Sequence, residues 1–253
     1  MGIPNLRDLG GIANSSGEAT TTGAVFRSAQ LGSASAEELQ SIGVSTVIDL
    51  RTDVERNSRP SAVPPGARIV VADVFVNQQR STAAQFAQAL QDPVFAAEFF
   101  TSGSAEREVQ SAYRLFVTEE GSQKAFRTIV ETVANADGPV LFHCTAGKDR
   151  TGWAATVLLA IAGVPQQTLL DHYLSVIPAT DELFQPIYQA AAERGLPREW
   201  LHPVLRVQPS FFQTAIDAIV QEFGGFQEYL RHGLDIDADT ANAVRGVLLA
   251  GQK

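Results

Sequence analysis

The chain contains one cysteine, Cys144, in 253 residues. No intramolecular disulfide can form, so oxidative cross-linking plays no part in the fold. Lysine is nearly as scarce: Lys124, Lys148 and Lys253 are the only three, and the other cations are arginine. A lysine at a special position is therefore informative. No apolar run reaches the ~18–20 residues needed to cross a bilayer, so no stable membrane insertion is expected. The N-terminal MGIPNLRDLG has no stretch of signal-peptide type. Positive charge is also in deficit, with 19 Lys and Arg against 28 Asp and Glu, for a net −9. General nucleic-acid binders are usually basic, so no nucleic-acid partner is expected. An anionic substrate must be attracted by a local field. With 45% hydrophobic and 19% charged residues, the composition is that of a folded chain with a substantial core.

Hydrophobic patterning predicts strands at 23–28, 44–50, 67–74 and 140–142. Helices are expected at 35–42, 121–136, 151–163, 166–176, 180–194, 209–223 and 237–250, and Asn5 to Gly11 reads as a turn. The helix from Thr151 is apolar all round, as a central buried helix should be. Residues 77–120 read as two helical halves divided at Gly103. Phe86 and Leu90 mark one stripe; Val109, Ala112, Tyr113 and Phe116 mark another. They are either ordinary surface helices or a mobile cover over a site. Because the strands are confined to the first 142 residues, the pattern predicts a sheet covered by helices in one α/β domain.

One segment stands apart. HCTAGKDRTG, residues 143–152, runs from a buried strand into the central helix. His143, Cys144, Gly147 and Arg150 fit H-C-x-x-G-x-x-R. From average residue usage, a chain of this length matches four such positions by chance on the order of once in several thousand. A loop entering a helix N-terminus turns backbone N–H groups toward one spot, and the helix dipole adds to them. Gly147 allows backbone angles closed to other residues. Arg150 offers a planar fork for two phosphoryl oxygens. The same positive surroundings favour the thiolate of Cys144, the nucleophilic form. The Thr151 hydroxyl is placed to donate to that sulfur.

HCTAGKDRTG resembles the signature loop of the protein tyrosine phosphatase superfamily, within it the bacterial PtpB-like branch, also called atypical lipid phosphatases. NLRDLGG at 5–11, VFRSAQL at 25–31, VIDLR at 47–51 and GGFQEYL at 224–230 also resemble segments of that branch. The resemblance implies a cysteine-phosphatase-like α/β fold with a central, mostly parallel sheet flanked by helices. It also implies a single phosphatase domain over 1–253, with 77–120 as a helical lid. The implied reaction is two-step phosphoryl transfer through a cysteinyl-phosphate on Cys144, with Arg150 and the loop amides binding the phosphoryl oxygens. His143, Thr145, Ala146, Gly147, Lys148 and Thr151 would complete the phosphate-binding loop, with His143 ordering it behind the nucleophile.

Asp149 is the implied general acid, with Asp73 as its rival. Lys148 suits a substrate with more than one phosphate, although a lysine there could also add only local potential. Arg7, Asp8, Arg27 and Arg51 are expected at the rim, where each alone could equally form a surface salt bridge. The implied substrates are phosphotyrosine, phosphoserine or phosphothreonine, and phosphoinositides, with no cofactor and no metal. Both cytoplasmic residence and secretion without a cleaved signal fit. Two rival readings remain: a rhodanese-like sulfurtransferase, which also cradles an anion above a cysteine, and a phospho-ligand binding module with little catalysis.

Overall fold

The computed structural model describes residues 2–32, 35–76 and 82–249. In chain order the elements are β1 (Arg7–Asp8), β2 (Val25–Ser28), α1 (Ser35–Ser41), β3 (Thr46–Asp49), α2 (Asp53–Ser58) and β4 (Arg68–Val71). Next come α3 (Thr82–Ala89), α4 (Pro93–Thr101), α5 (Ser104–Thr118), α6 (Glu120–Ala134) and β5 (Val140–His143). The remainder is helical: α7 (Asp149–Ile161), α8 (Gln166–Leu174), α9 (Ile177–Leu183), α10 (Gln185–Ala192), a 3-10 turn at Arg198–Leu201, α11 (His202–Leu205), α12 (Pro209–Phe223), α13 (Phe226–Glu228), a π turn at Tyr229–Gly233, and α14 (Ala238–Leu249).

The strands form one sheet in the order β1-β2-β5-β3-β4. Only β1 is antiparallel; the four longer strands are parallel, as parallel strands joined by helices require. Alternating side chains serve both faces. Val25, Ile48, Val140 and Phe142 enter the main core, while Phe26, Val47 and Leu141 join Leu39 of α1 in a smaller cluster on the other face. β5 lies between β2 and β3, with His143 in register with both Ser28 and Asp49. The segment leaving β5 therefore emerges at the middle of the carboxyl edge, where open parallel sheets form ligand crevices.

Residues 77–120 differ from the two-helix expectation. Residues 77–81 lie outside the described residues, and the rest forms three helices. Asp92 ends the first and starts the second: its side chain caps Val94 N and Phe95 N, with Pro93 in the first turn. The part beyond Gly103 is not a cover. Val109, Tyr113, Phe116 and Val117 of α5 belong to the main core with Phe211 and Phe212 of α12, because their stripe is too apolar to leave in water. Helices α3 and α4 build a separate cluster. Phe86, Ala96, Phe99 and Phe100 pack there with Tyr188 and Ala191 of α10 and with Leu201 and Leu205. The helix expected at 180–194 divides at Phe184 into α9 and α10, with Pro186 in the new first turn.

Candidate active site

The site is built on the loop between β5 and α7. Cys144 follows β5 directly and is 3% exposed, within the main core. Each carbonyl of the loop is held from outside. His143 Nδ1 lies 3.2 Å from Cys144 O, and Gln30 N donates to Thr145 O at 3.1 Å. Asn5 Nδ2 donates to Ala146 O and Gly147 O at 3.2 and 3.0 Å. Arg27 Nη2 reaches Gly147 O at 2.8 Å, and Gly152 N reaches Lys148 O at 2.7 Å. Among the described residues, the N–H groups of 145–148 donate to no protein acceptor. Gly147 makes the bend possible. Its φ is +66°, and a Cβ there would lie 2.5 Å from Ser28 O.

His143 is fully buried on the opposite side of the sheet from the main core. Burial holds its pKa below the ordinary histidine value, against the opposing charge of Asp49. Its Nε2 lies 3.2 Å from Ser61 Oγ and 3.6 Å from Asp49 Oδ2. Asp49 is locked by Arg51, whose Nε and Nη2 donate to its two oxygens at 2.9 and 2.7 Å. A neutral, packed imidazole orders the loop behind the sulfur and has no access to solvent as a base.

Arg150 sits in the first turn of α7, where Nη1 and Nη2 donate to the two oxygens of Glu55 at 2.8 and 2.7 Å. Its guanidinium stacks over Phe75, 5.1 Å from the ring centroid. Burial works against its charge, but the Glu55 bonds and charge and the nearby Cys144 hold its pKa above the usual arginine value. Burial raises the Glu55 pKa in turn, and the Arg150 bond and charge outweigh it, leaving that carboxyl far below its usual range. Glu55 also accepts from Thr145 Oγ1 and closes the capping box of α2 with Thr52. Glu55 and Phe75 were not among the residues expected from the sequence. The spacing Thr52-x-x-Glu55 is the signal that marks the first of them.

Asp149 Oδ1 accepts from Tyr113 Oη at 2.9 Å, and Tyr173 Oη donates to Tyr113 Oη at 2.6 Å. Lys148 is 4% exposed, and its Nζ lies 3.3 Å from Asp149 Oδ2 and 5.9 Å from the Phe184 ring centroid. That Nζ also donates to Val204 O. Asp73 accepts from Phe75 N at 2.9 Å, which places it beside the Arg150 stack, and burial raises its pKa.

Four placements differ from expectation: those of Thr151, Arg51, Asp8 and Arg27. Thr151 follows the helical path from Asp149 onward, and among the described residues its buried hydroxyl meets no partner, the Cys144 sulfur included. Arg51 is no rim residue: at 0% exposure it is buried beneath the loop to neutralise Asp49. Asp8 braces the β1–β2 connection, with Oδ1 and Oδ2 accepting from Gly10 N and Gly23 N at 2.8 and 2.6 Å. Arg27 is wholly buried under Gly147. Arg7 is partly exposed but bound to Oγ and O of Ser175, both at 2.7 Å.

The fold and the loop define a class: α/β proteins whose parallel sheet ends at a cysteine and a loop suited to hold an anion beside its sulfur. A model of the tyrosine phosphatase family matches residues 1–250, and the chain belongs to that family of phosphoric monoester hydrolases. It is 31% identical to a protein of Cupriavidus necator named as a candidate tyrosine-protein phosphatase, over 98% of this chain and 87% of the other. It is 29% identical to the triple specificity protein phosphatase PtpB of Mycobacterium tuberculosis, over 98% and 97% of the two chains. A tyrosine-protein phosphatase of Nostoc commune matches at 31% identity over 82% of this chain and 68% of the other. The structure of TpbA of P. aeruginosa is similar at 20% identity and a TM-score of 0.32, over 74% of this chain and 89% of that one.

Proposed function

We propose that the chain hydrolyses phosphotyrosine, phosphoserine or phosphothreonine, and phosphoinositide monoesters through a cysteinyl-phosphate. The observation that carries this reading is the loop, whose carbonyls from Cys144 to Lys148 are tied outward while the N–H groups of 145–148 have no protein acceptor. Such a cradle fits three phosphoryl oxygens and grips them harder as their charge builds. The Cys144 sulfur attacks phosphorus, forming S–P as the bond to the ester oxygen breaks. Asp149 gives its proton to the leaving oxygen. Water then attacks phosphorus, S–P breaks, phosphate leaves, and the water proton returns to Asp149. Arg150, held flat by Glu55 and Phe75, meets the equatorial oxygens throughout. Helices α3 and α4, with α10 and α11, form the cover that excludes water from the intermediate.

The similarity to PtpB supports breadth of substrate, and Lys148 would have to leave Val204 O to meet a second phosphate. The test is a panel of phosphopeptides, phosphoinositides and an aryl phosphate, run with the wild type and Cys144→Ser. Hydrolysis of all three classes by the wild type alone is expected. Turnover that survives in Cys144→Ser removes the reading. Persulfide formation from thiosulfate without phosphate release would assign a sulfurtransferase instead.

A further inference from the structure

Among the buried arginines around the loop, one lacks an ion pair. Arg150 pairs with Glu55 and Arg51 with Asp49. Arg27 forms no ion pair with a carboxylate among the described residues. It is 0% exposed, points to the main-core side of β2, and uses Nη2 on Gly147 O. Its Nε and Nη1 have no hydrogen-bond partner among the described residues. The titratable groups that face it come from four elements: Arg7 across the β1 register, Tyr113 of α5, His172 and Tyr173 of α8, and Cys144 of the loop. Arg7 repels it. Burial and the neighbouring arginines keep His172 neutral, and burial keeps both tyrosines protonated. A guanidinium buried without a counter-ion is costly. Among these groups, only the Cys144 sulfur is suited to carry the balancing negative charge.

We infer that Arg27 is a positioning residue that supplies the unpaired positive charge of the phosphate site. It props Gly147 from below and attracts both the Cys144 thiolate and the incoming phosphoryl group. This rests on the phosphatase reading above. Arg150 gives the fork that orients oxygens, but Glu55 cancels most of its charge at longer range. Arg27 is cancelled by nothing until a thiolate or phosphate is present. Burial pushes it down to about 10, with Arg7 adding to the effect and Cys144 opposing it, so it stays charged at neutral pH.

The experiment compares alkylation of Cys144 by anionic iodoacetate and by neutral iodoacetamide. The ratio of the two rates cancels changes in thiolate fraction and reads the local charge. In the wild type the ratio exceeds that of glutathione, and inorganic phosphate protects. Arg27→Gln keeps a donor for Gly147 O but no charge, and the ratio falls roughly tenfold or more. Arg27→Lys keeps most of it. Equal ratios in wild type and Arg27→Gln, or equal falls in the Gln and Lys variants, overturn the inference. A wild-type ratio matching glutathione does so without any variant, should Arg27→Gln fail to fold. Aryl phosphate turnover is measured separately. If the wild type turns over and the ratio does not move, this inference fails while the phosphatase reading stands.

Discussion

Asp149 and Asp73 are held in different ways, and substitution of each tests which one gives the proton. Asp149 accepts from Tyr113 Oη and faces the Lys148 ammonium, at the start of the helix that also carries Arg150. Asp73 accepts from the Phe75 amide through Oδ1, and its Oδ2 lies 4.0 Å from Arg56 Nη1. Asp149→Asn keeps an acceptor for Tyr113 but has no proton to give. It should slow an alkyl phosphate by roughly a hundredfold or more, and an aryl phosphate with a good leaving group far less. Asp73→Asn should leave that ratio unchanged. Equal losses on both substrates in Asp149→Asn would transfer the role to another group. Glu55 makes a second case. Glu55→Gln keeps the cap on α2 yet removes the charge that holds Arg150 flat. We expect kcat to fall roughly tenfold to a hundredfold, while KM does not rise because the site becomes more positive. A rise in KM with kcat intact would mean that Glu55 does not orient the guanidinium.

At the scale of elements, α2 connects the sheet to the phosphate loop. It has only six residues and buries none of them, so no hydrophobic period announces it. The only trace is the capping spacing of Thr52 and Glu55, and local rules do not say that the same carboxylate reaches across to Arg150. Long periodic stretches such as α6, α7 and α12 were legible within three residues at each end, and so was the strand–loop–helix setting of residues 143–152. What was hidden is pairing: β1 has two residues, too few for an alternation, and the stripe on α5 predicts a helix without saying which core receives it. Thr52→Ala should cost about 1 kcal/mol of stability, read by urea denaturation, with a loss of kcat/KM larger than that stability change implies. A loss confined to stability would make α2 structural only. Lys148 ties α7 to the α10–α11 side through Val204 O. Lys148→Ala should reduce phosphoinositide hydrolysis more than aryl phosphate hydrolysis. A matched decline would leave Lys148 the role of holding the cover alone.

At the scale of the whole molecule, a chain of net −9 concentrates its buried cations around one site, and this sets its behaviour in acid. His172 lies near Arg27 and Arg7, and burial with their repulsion holds it down to about 3, from 6.5. The unfolded chain therefore takes up this proton well before the native one. Its contribution to stability is complete above pH 6.5 and is lost as pH falls toward 3, at no more than about 1.4 kcal/mol per pH unit. Glu55 acts lower on the scale. Its carboxyl, depressed by the Arg150 bond and charge against the effect of burial, begins to cost stability only as pH falls below about the 4.5 of a free glutamate. His143 and His202, also held below 6.5 by burial, add to the upper window. Urea denaturation of the wild type should show stability falling already between about pH 6.5 and 4.5, with a steeper fall below. His172→Asn should lessen the slope of the upper part and leave the lower one. If the variant keeps the wild-type slope above pH 4.5, then His172 titrates normally in the native chain, and the positive field assigned to Arg27 and Arg7 does not reach it.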